Sequence, residues 1–228
     1  MKQAILAAGV FLGGAIVLPA GLVNFDDVSG PLNTHMVTQS NHYSGQGVTI
    51  QTIVNATDGK AVGDTFSATL RNDGAGAGAF SIIHVTTTVS TPNMAAAYHR
   101  VCNPTCHAVF ASDELLFTFA TPVTSASLFT DTAPAEGADV VRLMALRRLA
   151  ENQYQILAIA TGLDNATTAP GNFLQVSVAG GFTHLLFETT TEAEGVDNLS
   201  FSPVPEPSAA ALTALGAAGV LLRRRLRR

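Results

Sequence analysis

The side chains best equipped for chemistry fall in a few short stretches. Cys102 and Cys106 are the only two cysteines, in Val101-Cys102-Asn103-Pro104-Thr105-Cys106-His107. Three residues intervene, so this is not a Cys-x-x-Cys redox motif. In an oxidising compartment such a pair forms a disulfide. Closing so short a loop contributes about 2 kcal/mol by the loop-entropy relation. The competing chemistry is tetrahedral zinc held by His99, Cys102, Cys106 and His107. That spacing matches no zinc signature, and oxidation removes the thiolates zinc needs. Asp26-Asp27 and Asp197-Asn198 stand near opposite ends of the chain's central part. Calcium takes roughly 6–8 oxygen ligands from carboxylates, amides and carbonyls. If the first and last strands lie side by side, these four residues gather into a structural calcium site, stabilising by binding only the folded state. The plainer alternative is turn residues at strand ends. No Asp-x-Asp-x-Asp-Gly loop is present, and Glu188, Glu192 and Glu194 lie in a Thr-rich stretch that reads as solvated.

Signals for catalysis are sparse. Asp113-Glu114 is an acidic pair of the type glycoside hydrolysis uses, which needs two carboxylates at a set separation; otherwise it opens a strand after a turn. The six histidines, at 35, 42, 84, 99, 107 and 184, are scattered. There is no His-Glu-x-x-His and no Gly-x-Ser-x-Gly, so neither a zinc protease helix nor a nucleophile elbow is marked. Gly74–Ala79 alternates glycine and alanine but lacks the Lys-Ser/Thr of a phosphate-binding loop. Sugar stacking needs exposed rings, and the chain has no Trp and only Tyr43, Tyr98 and Tyr154 beside its phenylalanines. A non-enzymatic protein is the expectation.

Composition supports a folded body. Of 228 residues, 47% are hydrophobic and 13% charged, which excludes a disordered chain and a coiled coil. The net charge of −5 conceals a split: 21–207 holds 6 basic and all 17 acidic residues, a net of −11. An acidic body disfavours nucleic acid and anionic lipid as partners.

The elements that must position these residues read as β. Val48–Val54 alternates and is β-branched, Thr65–Leu70 follows a Gly-Asp turn signal, and Phe80–Val89 is a long strand candidate. Leu115–Phe119 and Ser127–Phe129 read as two strands separated by Pro122. Leu174–Val178 and His184–Glu188 flank Gly180-Gly181, and Asn198–Phe201 comes last. Asp139–Ala150 carries leucines at 143, 146 and 149, a helical spacing, while Val141, Leu143 and Ala145 alternate. A hairpin with Tyr154–Ala160 is the favoured reading, because a lone helix needs an open sheet face. The fold class expected is all-β: an antiparallel β-sandwich, jelly-roll-like, over 21–202.

Both ends read as addresses. Residues 1–20 have a cationic start, an apolar run and a small residue at the end, the plan of a signal peptide. Residues 203–207 form a Pro-rich linker, 208–222 an uncharged helix, and 223–228 a tail with Arg223, Arg224, Arg225, Arg227 and Arg228. Fifteen helical residues reach roughly 22 Å, so spanning a membrane requires the arginines to snorkel or the bilayer to thin. The arginines place that tail on the cytoplasmic side. Pro205-Glu206-Pro207, the short Ala/Gly/Leu helix and the terminal Arg cluster, in that order, resemble the PEP-CTERM sorting signal. The resemblance covers about the last 25 residues. It implies an exosortase as partner, a membrane protease-transpeptidase that recognises Pro-Glu-Pro and removes the helix. It also implies a Gram-negative bacterium making exopolysaccharide.

A second resemblance rests on Asn24-Phe25-Asp26-Asp27 near the start of the body and Asp197-Asn198-Leu199-Ser200-Phe201 at its close. These look like the first and last strands of β-sandwich ectodomains that precede PEP-CTERM signals, domains similar to carbohydrate-binding jelly rolls. Residues 72–112 fit no such pattern. The expected function is that of an exported surface or extracellular-matrix protein, structural or adhesive and linked to exopolysaccharide. Its alternatives are a calcium-assisted carbohydrate-binding module and a secreted hydrolase.

Overall fold

A computed structural model describes residues 20–30, 35–54, 57, 59–71, 78–84, 93–97, 99–102, 106–109, 114–131, 139–164, 172–189, 195–205 and 223. The chain divides into two units: Pro19–Val204, and Met1–Leu18 together with Pro205–Arg228. In the second unit only Pro205 and Arg223 are described. The expected signal peptide up to residue 19, Glu206, Pro207, the 208–222 helix and Arg224, Arg225, Arg227 and Arg228 therefore lie outside the described residues. Among those described, no helix is long and apolar enough to cross a membrane.

The first unit is antiparallel β. Its strands are β1 (Gly21–Val23), β2 (His35–Thr38), β3 (Val48–Val54), β4 (Thr65–Ser67), β5 (Thr69–Leu70), β6 (Phe80–His84), β7 (Asn93–Ala97), β8 (His99–Cys102), β9 (Cys106–Val109), β10 (Glu114–Asp131), β11 (Asp139–Ala150), β12 (Gln153–Asp164), β13 (Phe173–Thr189) and β14 (Gly195–Pro203). Twelve share one sheet with the path β2-β6-β7-β14-β10-β13-β11-β12-β4; β1 joins β14, and β3 joins β10 and β5. The path ends at β2 and β4, so the sheet does not close into a barrel. β8 and β9 form a separate hairpin.

Two long strands fold this sheet into two layers. The first part of β10 lies between β3 and β13; from Val123 onward it lies between β14 and β13. The register breaks between Thr118 and Val123, around Pro122. Proline has no N–H to give the ladder, so a register break is where a strand tolerates it. Its carbonyl accepts the Val204 N–H at 2.9 Å. Opposite, β13 bends at Gly181, whose φ of 76° suits glycine. The sequence expectation of two strands on each side of Pro122 and of Gly180-Gly181 is therefore corrected. Each pair is one strand that turns a corner between layers.

The core shows the result. Ile50, Phe117, Leu143 and Phe187 from one layer share a buried cluster with Phe80, Ile82, Leu128 and Leu199 from the other. Burying each such side chain contributes about 1.5–3 kcal/mol. A second cluster lies on the other face of the β11–β13 layer, where Leu116, Met144, Leu146 and Leu186 pack against Phe66 and Ala68. Residues 143–146 are thus buried on both faces. This explains why the leucine spacing of 139–150 imitates a helix: a strand covered on both sides need not alternate. The segment is a strand paired with β12 across Glu151-Asn152, and Asn152 takes the positive φ of 56° that asparagine tolerates.

One expectation shifts. Asn24–Val28 forms a turn after β1 instead of continuing a strand, with Phe25 at φ 62°. β6 is described to His84 only, and the rest of the expected 80–89 strand lies outside the described residues. β7 and the β8–β9 hairpin occupy a region without a readable pattern.

Candidate functional site

The turn after β1 gathers several polar side chains. β1 pairs with β14, Val23 facing Leu199 and Gly21 facing Phe201. The two ends of the body are neighbours in the sheet, as the calcium reading required. Their side chains then divide. The Asp27 carboxylate accepts the Tyr43 hydroxyl at 2.7 Å and meets His42 Nε2 at 3.0 Å. Burial works to raise its pKa, but the Tyr43 and His42 hydrogen bonds and the His42 charge outweigh it and hold the carboxyl below its ordinary value. Burial, reinforced by Asp27, pushes the Tyr43 hydroxyl well up. Tyr43 is itself core, 1% exposed, with edge contacts to Phe25 and His42. Asp27 thus fastens the turn to the core.

Asp26 faces another group. Its Oδ2 accepts Asn24 Nδ2 at 3.0 Å and its Oδ1 the Asn93 N–H at 3.3 Å. The Asn93 side chain reaches into the turn, its Nδ2 donating to Phe25 O at 3.0 Å and Val28 O at 2.6 Å. Asn93 is fully buried, and its Oδ1 has no hydrogen-bond partner. Asp197 is fully buried on β14, where its Oδ1 accepts the N–H of Asn198 at 2.7 Å. Asn198 itself has φ 51°. Among the described residues, no three His, Cys, Asp or Glu side chains group closely enough to hold a metal. The turn's buried partner is Asn93, which the sequence reading missed.

A second polar cluster gathers around Thr57 and the Lys60 carbonyl. Thr57 donates its hydroxyl to Glu114 Oε1 at 2.6 Å and its N–H to the same oxygen at 3.3 Å. Arg142 donates to Glu188 Oε2 at 2.8 Å, to Thr57 O at 3.2 Å and to Lys60 O. Glu114 and Glu188 are 0% and 1% exposed. The expectation that Glu188 is solvated is corrected: it lies in register with Arg142 on the adjacent strand, and the burial of β13 takes it inside. Glu114 opens β10, and Asp113 lies outside the described residues. Its carboxylate is sealed against Thr57, away from the open face a glycoside substrate needs.

Cys102 faces Cys106 directly in the β8–β9 register; their side chains lie outside the described residues. Directly opposed residues of an antiparallel pair have Cα atoms about 4.5–5.5 Å apart, within the span a disulfide bridges. A depression of about 130 Å³ lies between Ser44, Val48, Thr118 and Phe119, below the roughly 300–1,000 Å³ of small-molecule pockets.

No protein-family model matches the chain, and no curated protein matches it. Among solved structures it is similar to the K2 cleaved adhesin domain of Lys-gingipain, at 9% identity and a TM-score of 0.42, over 80% of this chain and 99% of that one.

Proposed function

We propose that this chain is an exported, non-enzymatic surface or matrix protein, sorted through its C-terminal signal by an exosortase and structural or adhesive in role. The observation that carries the reading is the ordered series of Pro205-Glu206-Pro207, an uncharged 208–222 segment and the Arg223–Arg228 cluster. The boundary of the folded body agrees with this placement. Val204 is its last residue, tied to Pro122 O, and the Pro-Glu-Pro segment begins directly after it. The folded unit is a β-sandwich-like body, proposed here to be a jelly-roll relative, delivered outside the cell. Asp27, Arg142 and His184 make structural contacts, with Tyr43, Glu188 and Tyr154 respectively, and such contacts suit a scaffold role.

Intact-mass spectrometry of the protein from its native bacterium tests the proposal. A mature mass lacking about the first 20 residues and those after the Pro-Glu-Pro segment is expected. A full-length mass in the mature membrane fraction would overturn the sorting claim. Deleting residues 205–228 should redirect the protein; unchanged processing and distribution count against it.

A further inference from the structure

We infer that the open edge of β12, residues 158–162, is where a second copy of this chain adds its own β12, antiparallel about a two-fold axis at Ala160. The inference stands on the edges of the sheet and is independent of how the chain is sorted.

One edge of β12 is held by β11 from Gln153 to Asp164. The other is held only at its start. β4 pairs with Gln153, Tyr154 and Gln155, and Ile156 donates to Asp64 O at 3.0 Å and accepts the Gly63 N–H at 2.9 Å. A bulge follows at Leu157, since Ala145 faces Ala158 while Leu146 faces Ile156. From Ala158 to Gly162, no described residue pairs with this edge. Leu163 closes the stretch, its carbonyl accepting Asn172 Nδ2. Gly162 lies against Leu174 and Asn172, so the start of β13 borders the same side of the sandwich. There, over Phe173–Ser177, β13 pairs with β10 alone among the described residues. Unpaired strand edges are templates for another chain, and natural sheets protect them with short strands or charges. The ends of the sheet path are short, four residues in β2 and three in β4. This side has neither protection: no charged residue occurs from 153 to 163 or from 172 to 183. Apolar side chains flank it instead, Leu163 at 64% and Phe173 at 54% exposure at one end and Val62 at 59%, next to Gly63, at the other.

Charge and register select the occupant. Residues 21–207 carry a net charge of −11, so two copies approach with least repulsion where charge is absent. Pairing centred on Ala160 sets Ala158 opposite Gly162 and Ile159 opposite Thr161. Opposed residues then share a face, as a ladder requires. Each pair joins small to small or β-branched to β-branched, which a pleated surface favours. A centre one residue earlier would need Ile156, whose backbone is already bonded to the 63–64 turn. One residue later would bring Asp164 into the ladder opposite Ala158. The chosen centre sets the Leu163 end of each copy beside the Val62 end of the other, so apolar surface is covered at both ends of the ladder. A two-fold contact closes on itself, and the product is a dimer.

The test uses the full chain as its native host makes it, parent and variants, followed by sedimentation equilibrium. The parent should be a reversible dimer. Thr161→Lys with Leu163→Lys, both at exposed positions, charges the edge as natural edge strands do. It should weaken the dimer at least about tenfold while the circular dichroism stays that of the parent. Register is read by disulfide trapping in a chain carrying Cys102→Ser and Cys106→Ser. Ala160→Cys should crosslink to its copy under mild oxidation, since opposed Cα atoms lie about 4.5–5.5 Å apart, within disulfide reach. Leu163→Cys should not, its two copies lying roughly 20 Å apart along the ladder. The inference is overturned by a monomer at all concentrations up to about 1 mM, the weak end of specific affinity. It is equally overturned by a dimer that the two lysines leave intact, or that crosslinks no better at 160 than at 163, as association through the 208–222 segment would give. A parent that stays monomeric while this edge takes up an extended segment of a different protein overturns it too.

Discussion

Replacing Arg142 with methionine should cost more stability than any other single loss of a charged group described here. The guanidinium bridges β11 to β13 through Glu188 and to the covering segment through the carbonyls of Thr57 and Lys60. Its side chain is 13% exposed and that of Glu188 is 1%. Methionine fills much of the same volume but removes the guanidinium that faces the buried Glu188 carboxylate. Breaking a buried pair from one side costs about 3–5 kcal/mol. Total stability is typically about 5–15 kcal/mol, and at about 2–4 °C per kcal/mol the melting temperature should fall by roughly 10 °C. Two further measurements separate this from lost packing. In the variant, burial raises the Glu188 pKa, so its folded state holds a proton that the unfolded state releases, and the deficit should shrink from pH 7 toward pH 5. Arg142→Met with Glu188→Leu should recover at least half of the loss, because an apolar pair of similar volume replaces a buried ion pair at little cost. Urea denaturation of the three proteins is the assay. A loss under about 1 kcal/mol, well below the one-sided cost, or a double variant no more stable than the single one, would refute the reasoning.

Three further outcomes are expected. His184 is 6% exposed; burial, with Arg148 adding to it, lowers its pKa to about 4. The unfolded chain therefore takes up the proton first, and stability should decline as pH falls from about 6.5 toward 4. Discounted for partial hydration of the ring, that decline is about 1–2 kcal/mol; His184→Phe should remove it when melting is compared at pH 7 and 4.5. Gly181→Ala should destabilise by about 1–2 kcal/mol, read by thermal melting, since its Cβ would lie 2.7 Å from Val204 Cγ2 at a φ of 76°. The chain purified from its native source should lack two hydrogens by mass, and Cys102→Ser with Cys106→Ser should cost about 2 kcal/mol.

Local pattern made some of this architecture readable. β3 alternates buried and half-buried over Val48–Gln51, so this strand is recognisable from period two, although Thr52 and Ile53 are both buried. The Glu151-Asn152 turn is legible because asparagine accepts the left-handed conformation. β11 was ambiguous because each of its faces meets a different apolar cluster, and the covering Phe66 arrives from 80 residues earlier in the chain. Pro122 and Gly181 read as strand breaks, because sequence does not distinguish the end of a strand from a corner. At the candidate site, Asp26 and Asp27 were visible as adjacent carboxylates. Their division between Asn93 and Tyr43 was not, since neither partner is within fifteen residues of both.

By itself the sequence determined the class of the body, its acidic charge and the order of charged, apolar and Pro-rich segments at its ends. Each of these rests on neighbours in the chain or on composition. Only the tertiary structure decided that two long strands bend to make both layers, that Glu188 and Arg142 are an interior pair, and that Asn93 enters the turn after β1. Those facts depend on which distant segments meet. A buried polar side chain takes its role from the partner opposite it, and the fold supplies that partner from elsewhere in the sequence.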